Sequence, residues 1–206
     1  IKTLEEEGLL ENTLIVFSSD NGPVLNDGYF DDAVEKNGNH SAAGVLRGGK
    51  YSLFEAGTRV PFMVYWKGKV QPKKSEALVS QLDLFSSLAS LTGSNLRADD
   101  SADLLDTFMG KSVLGRKELI LEATTRTALR SGDWVMIPPY NGPAKLKAVN
   151  IEIGNSNNYQ LYDLSQDISQ QINLAESNPE KLDEMILRFN EIRGESYSEV
   201  KKIELK

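Results

Sequence analysis

The chain has 206 residues, 40% of them apolar and 26% charged, a globular-domain balance with room for one full domain or two small ones that excludes disordered or collagen-like architectures. A formal charge of −7 argues against a nucleic-acid partner, which asks for a basic face, and is compatible with a metal site. No run approaches the roughly 18 consecutive apolar residues that cross a bilayer, and with no cysteine there is neither a disulfide framework nor thiol chemistry.

Residues 1–10 set Ile1, Leu4, Leu9 and Leu10 among charges, as in the tail of an amphipathic helix that ends before Asn12. A chain that opens on Ile1 inside an element reads as a fragment. Residues 13–19 (TLIVFSS) form an unbroken β-branched and apolar run, which predicts a central strand covered on both faces. A helix leading into such a strand predicts an α/β architecture. Residues 20–49 are rich in Gly, Asn and Asp and far exceed the usual connection in a compact domain, as functional loops do. Residues 60–66 (VPFMVYW) predict a second strand, with Pro61 tolerated at its start. Residues 78–91 predict a helix carrying Leu82, Phe85, Leu88 and Ala89, with Gly93 as its stop.

Residues 94–117 are polar and weakly periodic, a connection. Residues 118–123, 126–130 and 133–137 are short runs bounded by turn residues such as Ser131 and Gly132, which predicts an antiparallel meander, and 159–164 can add a strand. Asn178 as N-cap and Pro179 at the first position open a final helix that ends at Gly194. Its Leu182, Ile186 and Phe189 share one face, with Met185 and Ile192 beside it, so it is expected to cover the small sheet; the charged tail beyond Gly194 is expected to fray. The chain therefore divides into an α/β part over 1–93, the connection 94–117 and a small α+β subdomain over 118–206.

Asp20, Asn21 and Gly22 directly follow the first strand, and the carboxyl ends of strands are where ligands bind in open α/β sheets. A carboxylate and an amide oxygen form a hard pair suited to calcium or magnesium; spacing alone leaves an ordinary Asn-Gly turn open. Arg47, Gly48, Gly49 and Lys50 make a basic, glycine-rich turn whose donors suit an oxyanion such as sulfate or phosphate, without the P-loop pattern. Its plain alternative is a solvated turn. His40, the single histidine, is either a surface residue or a donor to substrate, and one histidine cannot build a histidine-rich zinc site. Asp27, Asp31 and Asp32 around Tyr29 and Phe30 lack EF-hand spacing and read as a solvated loop bordering the pocket.

Four stretches, LIVFSSDNGP, RGGKYSLFEAGTRVPFMVYW, LVSQLDLFSSLASLTG and LYDLSQDISQQINLAESNPE, resemble in order and spacing the latter half of the arylsulfatase family, over nearly the whole chain from Thr13 to Gly194. The resemblance implies a partial alkaline-phosphatase-like α/β sheet followed by a small antiparallel sheet with a packed C-terminal helix. It implies that Asp20 and Asn21 are two ligands of one calcium ion that holds the sulfate group and that Lys50 contacts a sulfate oxygen, with His40 and Arg47 as substrate-contact candidates. The family's formylglycine, made within a Cys-or-Ser, any, Pro, any, Arg motif, has no counterpart among these residues, so the isolated chain is expected to be inactive. Ile168 and Gln170 stand where the family often has Pro and an acid. The implied partner is a sulfate ester, such as a sulfated glycan, and the implied location periplasmic or secreted. Alternatives are a phosphodiesterase or phosphomutase of the same superfamily, which would want two transition metals and more histidines, and a non-catalytic carbohydrate-binding or structural module.

Overall fold

The computed structural model describes residues 1–194, so the tail beyond Gly194 lies outside the described residues. The chain folds into two compact units, one made of Ile1–Ser19 with Pro61–Leu119, the other of Asp20–Val60 with the chain from Ile120 on.

In the first unit, helix α1 (Lys2–Glu6) and a single 3-10 turn (Leu10–Asn12) precede strand β1 (Ile15–Ser18), which pairs antiparallel with β2 (Phe62–Tyr65). The register sets Ile15 against Tyr65 and Phe17 against Met63. The sequence predicts a central strand here, but the described residues give a two-stranded sheet, and Phe17 and Met63 stand 59% and 57% exposed on one face of it. Successive strand residues point to opposite faces, so covering one face leaves these two outward.

Helix α4 (Asp83–Leu91) follows β2. Its apolar spacing is helical, yet Leu82, Phe85 and Leu88 face outward, while Asp83, Ser86 and Ser87 are the residues it buries. Hydrogen bonds turn the polar side in: Asp83 accepts the N–H groups of Ser80 and Ala102 and a bidentate pair from Arg116, and the Ser87 hydroxyl accepts from the Leu104 N–H. The connection holds one further turn of helix, α5 (Leu105–Phe108).

The second unit contains the long loop, which carries helix α2 (Ala33–Asn37), then α3 (Glu55–Thr58). Its sheet has the order β3-β4-β5-β8, from β3 (Glu118–Ala123, whose first two residues belong to the first unit), β4 (Arg126–Ser131), β5 (Trp134–Ile137) and β8 (Gln160–Asp163). The expected meander is present, and β8 extends it by pairing antiparallel with β5. A two-stranded ribbon, β6 (Lys145–Leu146) with β7 (Ile151–Glu152), fills the β5–β8 connection. Helix α6 (Pro179–Arg193) buries Met185 and Phe189 against Leu129, Met136 and Leu161 of the sheet, with Leu182 and Ile186 packed at the margin. Ile192 is 39% exposed and lies outside that core.

Candidate functional site

Asp20 and Asn21 leave β1 two residues after its end, Asp20 exposed and Asn21 half-buried. What fixes them is the backbone behind them. The Gly22 N–H donates to the Gly57 carbonyl at 2.9 Å, and a Cβ on Gly22 would lie 1.6 Å from the Ala56 oxygen, so no other residue allows this approach. Asn21 Nδ2 donates to the Gly22 carbonyl at 2.9 Å, which holds the amide side chain against its own turn.

Lys50 lies next to this segment through the backbone: its N–H donates to the Pro23 carbonyl at 3.0 Å. Thirty positions of loop thus close at their base. A Cβ on Gly49 would meet that same Pro23 oxygen at 2.6 Å, so the second glycine of the basic turn serves close approach to residues 20–23. Lys50 and Tyr51 are the central residues of a turn closed by the Ser52 N–H on the Gly49 carbonyl at 3.0 Å. Tyr51 has φ +75°, the left-handed value that a type II turn asks of its third residue and that normally selects glycine. A tyrosine there is strained by about 1–2 kcal/mol, and the Arg126 guanidinium, donating to the Tyr51 carbonyl at 2.9 Å, helps hold it.

Arg47 is committed inside its own unit. Its Nε donates to Glu152 at 2.7 Å and its Nη1 to the Gln170 carbonyl at 2.7 Å, and the guanidinium lies 4.0 Å from the Phe54 ring centre. Burial alone would lower its pKa, but hydrogen bonds and charge from Glu152 and Tyr162 together outweigh it and raise the value. Glu152 in turn is held below the usual carboxylate range by the Arg47 hydrogen bond. His40 is exposed, its backbone tied to Asn37 from both sides, since its N–H donates to the Asn37 carbonyl and its own carbonyl accepts from Asn37 Nδ2.

Behind the turn stands Glu55, whose acid character is visible in the sequence as the one charge inside LFEAG. It is 2% exposed at the side chain, paired with Arg59 at 2.7 Å and Arg130 at 3.0 Å. Its N–H donates to Gln170 Oε1 at 2.7 Å. Gln170, Glu152 and Arg126 carry no sequence signal of this role, because their contacts to the turn span 75–123 positions.

The structure therefore brings residues 20–23 and 47–57 together and leaves His40 on the outer loop. As donors, the Asp20 carboxylate and Asn21 amide have the hard oxygens that calcium takes. Among the described residues no cluster of three or more His, Asp or Glu could hold a metal ion.

The sequence profile of the Sulfatase family matches residues 1–94. An N-acetylgalactosamine-6-O-sulfatase of Bacteroides thetaiotaomicron is 43% identical over 189 residues, which cover 90% of this chain and 37% of that protein. The chain belongs to the sulfatase family. Human arylsulfatase A is 34% identical to this sulfatase chain over 114 residues, 54% of the chain and 21% of the relative. A structure solved in work on the metabolism of multiple glycosaminoglycans by Bacteroides thetaiotaomicron superposes with a TM-score of 0.88 at 41% identity, covering 93% of this chain and 41% of that one. The sulfatase chain thus spans well under half the length of these relatives and has their alkaline-phosphatase-like fold over that span. No helix among its described residues is long and apolar enough to cross a membrane.

Proposed function

We propose that the protein containing this chain hydrolyses a sulfate ester of a glycan, with a 6-O-sulfated N-acetylhexosamine as the first candidate. The observation that carries the reading is the closure of Lys50 onto Pro23, three residues from Asp20, in a chain 43% identical to an N-acetylgalactosamine-6-O-sulfatase. In this reading residues 1–93 belong to the catalytic α/β domain, 94–117 connect, and 118–206 form a small α+β C-terminal subdomain. A periplasmic or secreted location goes with the family.

Asp20 and Asn21 would hold one calcium ion through their side-chain oxygens, its remaining ligands coming from beyond these residues. The ion would supply a fixed positive charge beside the sulfate oxygens. Lys50 would contact a sulfate oxygen, and its ammonium, carried on the strained turn, would stabilise charge that builds as the S–O bond breaks. Preorganised electrostatics of this kind is usually the largest catalytic contribution. The formylglycine nucleophile would likewise come from outside residues 1–206, which hold no cysteine and no Ser, any, Pro, any, Arg run. His40 stands as a substrate contact from the exposed loop. Arg47 enters as a brace of the Lys50 turn, since Glu152 and Gln170 take up its donors.

The test uses the full-length protein with calcium, on N-acetylgalactosamine 6-sulfate, the 4-sulfate and a chromogenic aryl sulfate, alongside metal analysis. Preference for the 6-sulfate with one calcium per chain supports the reading. Two zinc or manganese ions with phosphodiester turnover would replace it with the phosphodiesterase alternative, and glycan binding without any turnover would leave a carbohydrate-binding module.

A further inference from the structure

Gln170 carries two local costs in one residue. Its φ is +51°, outside the ordinary range for a side chain of that size, and its side chain is fully buried with Nε2 lacking a hydrogen-bond partner among the described residues. A buried donor left unmade costs about 1–3 kcal/mol. Costs of this kind persist where surrounding contacts over-determine a residue, and they concentrate at functional sites.

The other polar groups of Gln170 are committed on both flanks of the Lys50 turn. Its carbonyl accepts from Arg47 Nη1 at 2.7 Å, three residues before Lys50, and its Oε1 accepts from the Glu55 N–H at 2.7 Å, five residues after it. The segment that presents Gln170 is itself shaped by Asp167. The Asp167 carbonyl accepts the Gln170 N–H at 3.1 Å, and its carboxylate accepts the N–H groups of Gln171 and Ile172 at 2.6 and 2.8 Å. One residue thus spans the ends of the segment 47–55 like a bracket, with the strained Lys50–Tyr51 pair between the two fixed points.

We propose that Gln170 is a positioning residue for Lys50. It clamps Arg47 and the Glu55 amide so that the turn keeps its left-handed Tyr51 and aims the ammonium in one direction. The catalytic part of this proposal rests on the sulfatase reading above; the mechanical part does not.

The experiment compares Gln170→Leu, which removes the acceptor for the Glu55 amide, with Gln170→Glu, which keeps it, in the full-length protein. Hydrogen exchange at the amides of Lys50, Ser52 and Glu55 is expected to accelerate about 10- to 100-fold in the Leu variant, the loss of one buried hydrogen bond, and to stay within a few-fold of the parent in the Glu variant. With a sulfate ester, kcat is expected to fall by a similar factor in the Leu variant with KM nearly unchanged, because the ammonium acts on charge that develops during the reaction. Should the Leu variant not fold, Arg47→Lys cuts the other arm of the bracket and is expected to give the same exchange pattern. Unchanged exchange at Lys50 and Ser52 in a folded variant overturns the proposal, as does faster exchange with unaltered kcat. A parent protein that releases no sulfate from any ester defeats the sulfatase reading, while the exchange data still decide the bracket.

Discussion

Glu55 and Arg130 form an ion pair at 3.0 Å with both side chains almost out of water, 2% and 12% exposed. Arg59 reaches the same carboxylate oxygen from the surface, 40% exposed. Glu55→Gln leaves the Arg130 charge buried without its counter-ion and should cost about 3–5 kcal/mol. Arg59→Ala should cost no more than about 1 kcal/mol. Urea unfolding of the two variants checks the contrast; equal losses would mean that Arg130 reaches water more easily than its burial indicates.

Gly22→Ala places a methyl group 1.6 Å from the Ala56 carbonyl, and backbone cannot move aside as a side chain can. Residues 20–23 must then part from 56–57, at a cost of about 1–3 kcal/mol. Thermal melting reads the stability loss, and calorimetric calcium titration of the full-length protein should show weaker binding although no proposed ligand has changed. Intact calcium affinity would separate the Gly22–Gly57 contact from the metal site.

Asp20→Ala and Lys50→Ala should fail in different ways. The first should weaken calcium binding by at least about tenfold, the scale on which even outer partners of a metal matter. The second should keep calcium and lower kcat by about 10²–10³, as loss of one charge-stabilising donor does. A Lys50 variant with normal kcat and raised KM would confine the lysine to ground-state binding.

The Arg47 hydrogen bond keeps Glu152 below the ordinary carboxylate pKa, so the folded state favours the ionised form. That stabilisation is complete above the unfolded-state value of about 4.3 and disappears as pH falls through the lower folded value. Melting temperature measured from pH 6 to 3 should therefore drop less in Glu152→Gln than in the parent. The side chain is 47% exposed, so the difference should be small and should shrink with added salt.

The parts legible in the sequence are those whose signals are local. Ser131 and Gly132 mark the hairpin between β4 and β5, and Asn178, Pro179 and Gly194 bound α6, whose Met185 and Phe189 form the core that periodicity expects. Helix α4 shows where periodicity misleads: its spacing identifies the helix, but Asp83, Ser86 and Ser87 bury because residues 100–104 and Arg116 supply partners that no window around 83–91 contains. The short helices α2, α3 and α5 and the β6–β7 ribbon are too brief to develop a period. The closeness of residues 20–23 to Lys50 was readable only as a resemblance, which also singles out position 170 as one where the family often has an acid; nothing in SQDISQQ itself points to position 47.

The family profile ends at residue 94, whereas Arg126, Arg130, Glu152 and Gln170, which hold the Lys50 turn in shape, all lie beyond it. The turn and its supports are thus encoded by separate stretches of the same chain. Exchanging the carboxyl-terminal stretch between two sulfatases would transplant the supports without the groups they support. Such chimaeras should work only where positions 47, 55, 152 and 170 travel as a matched set.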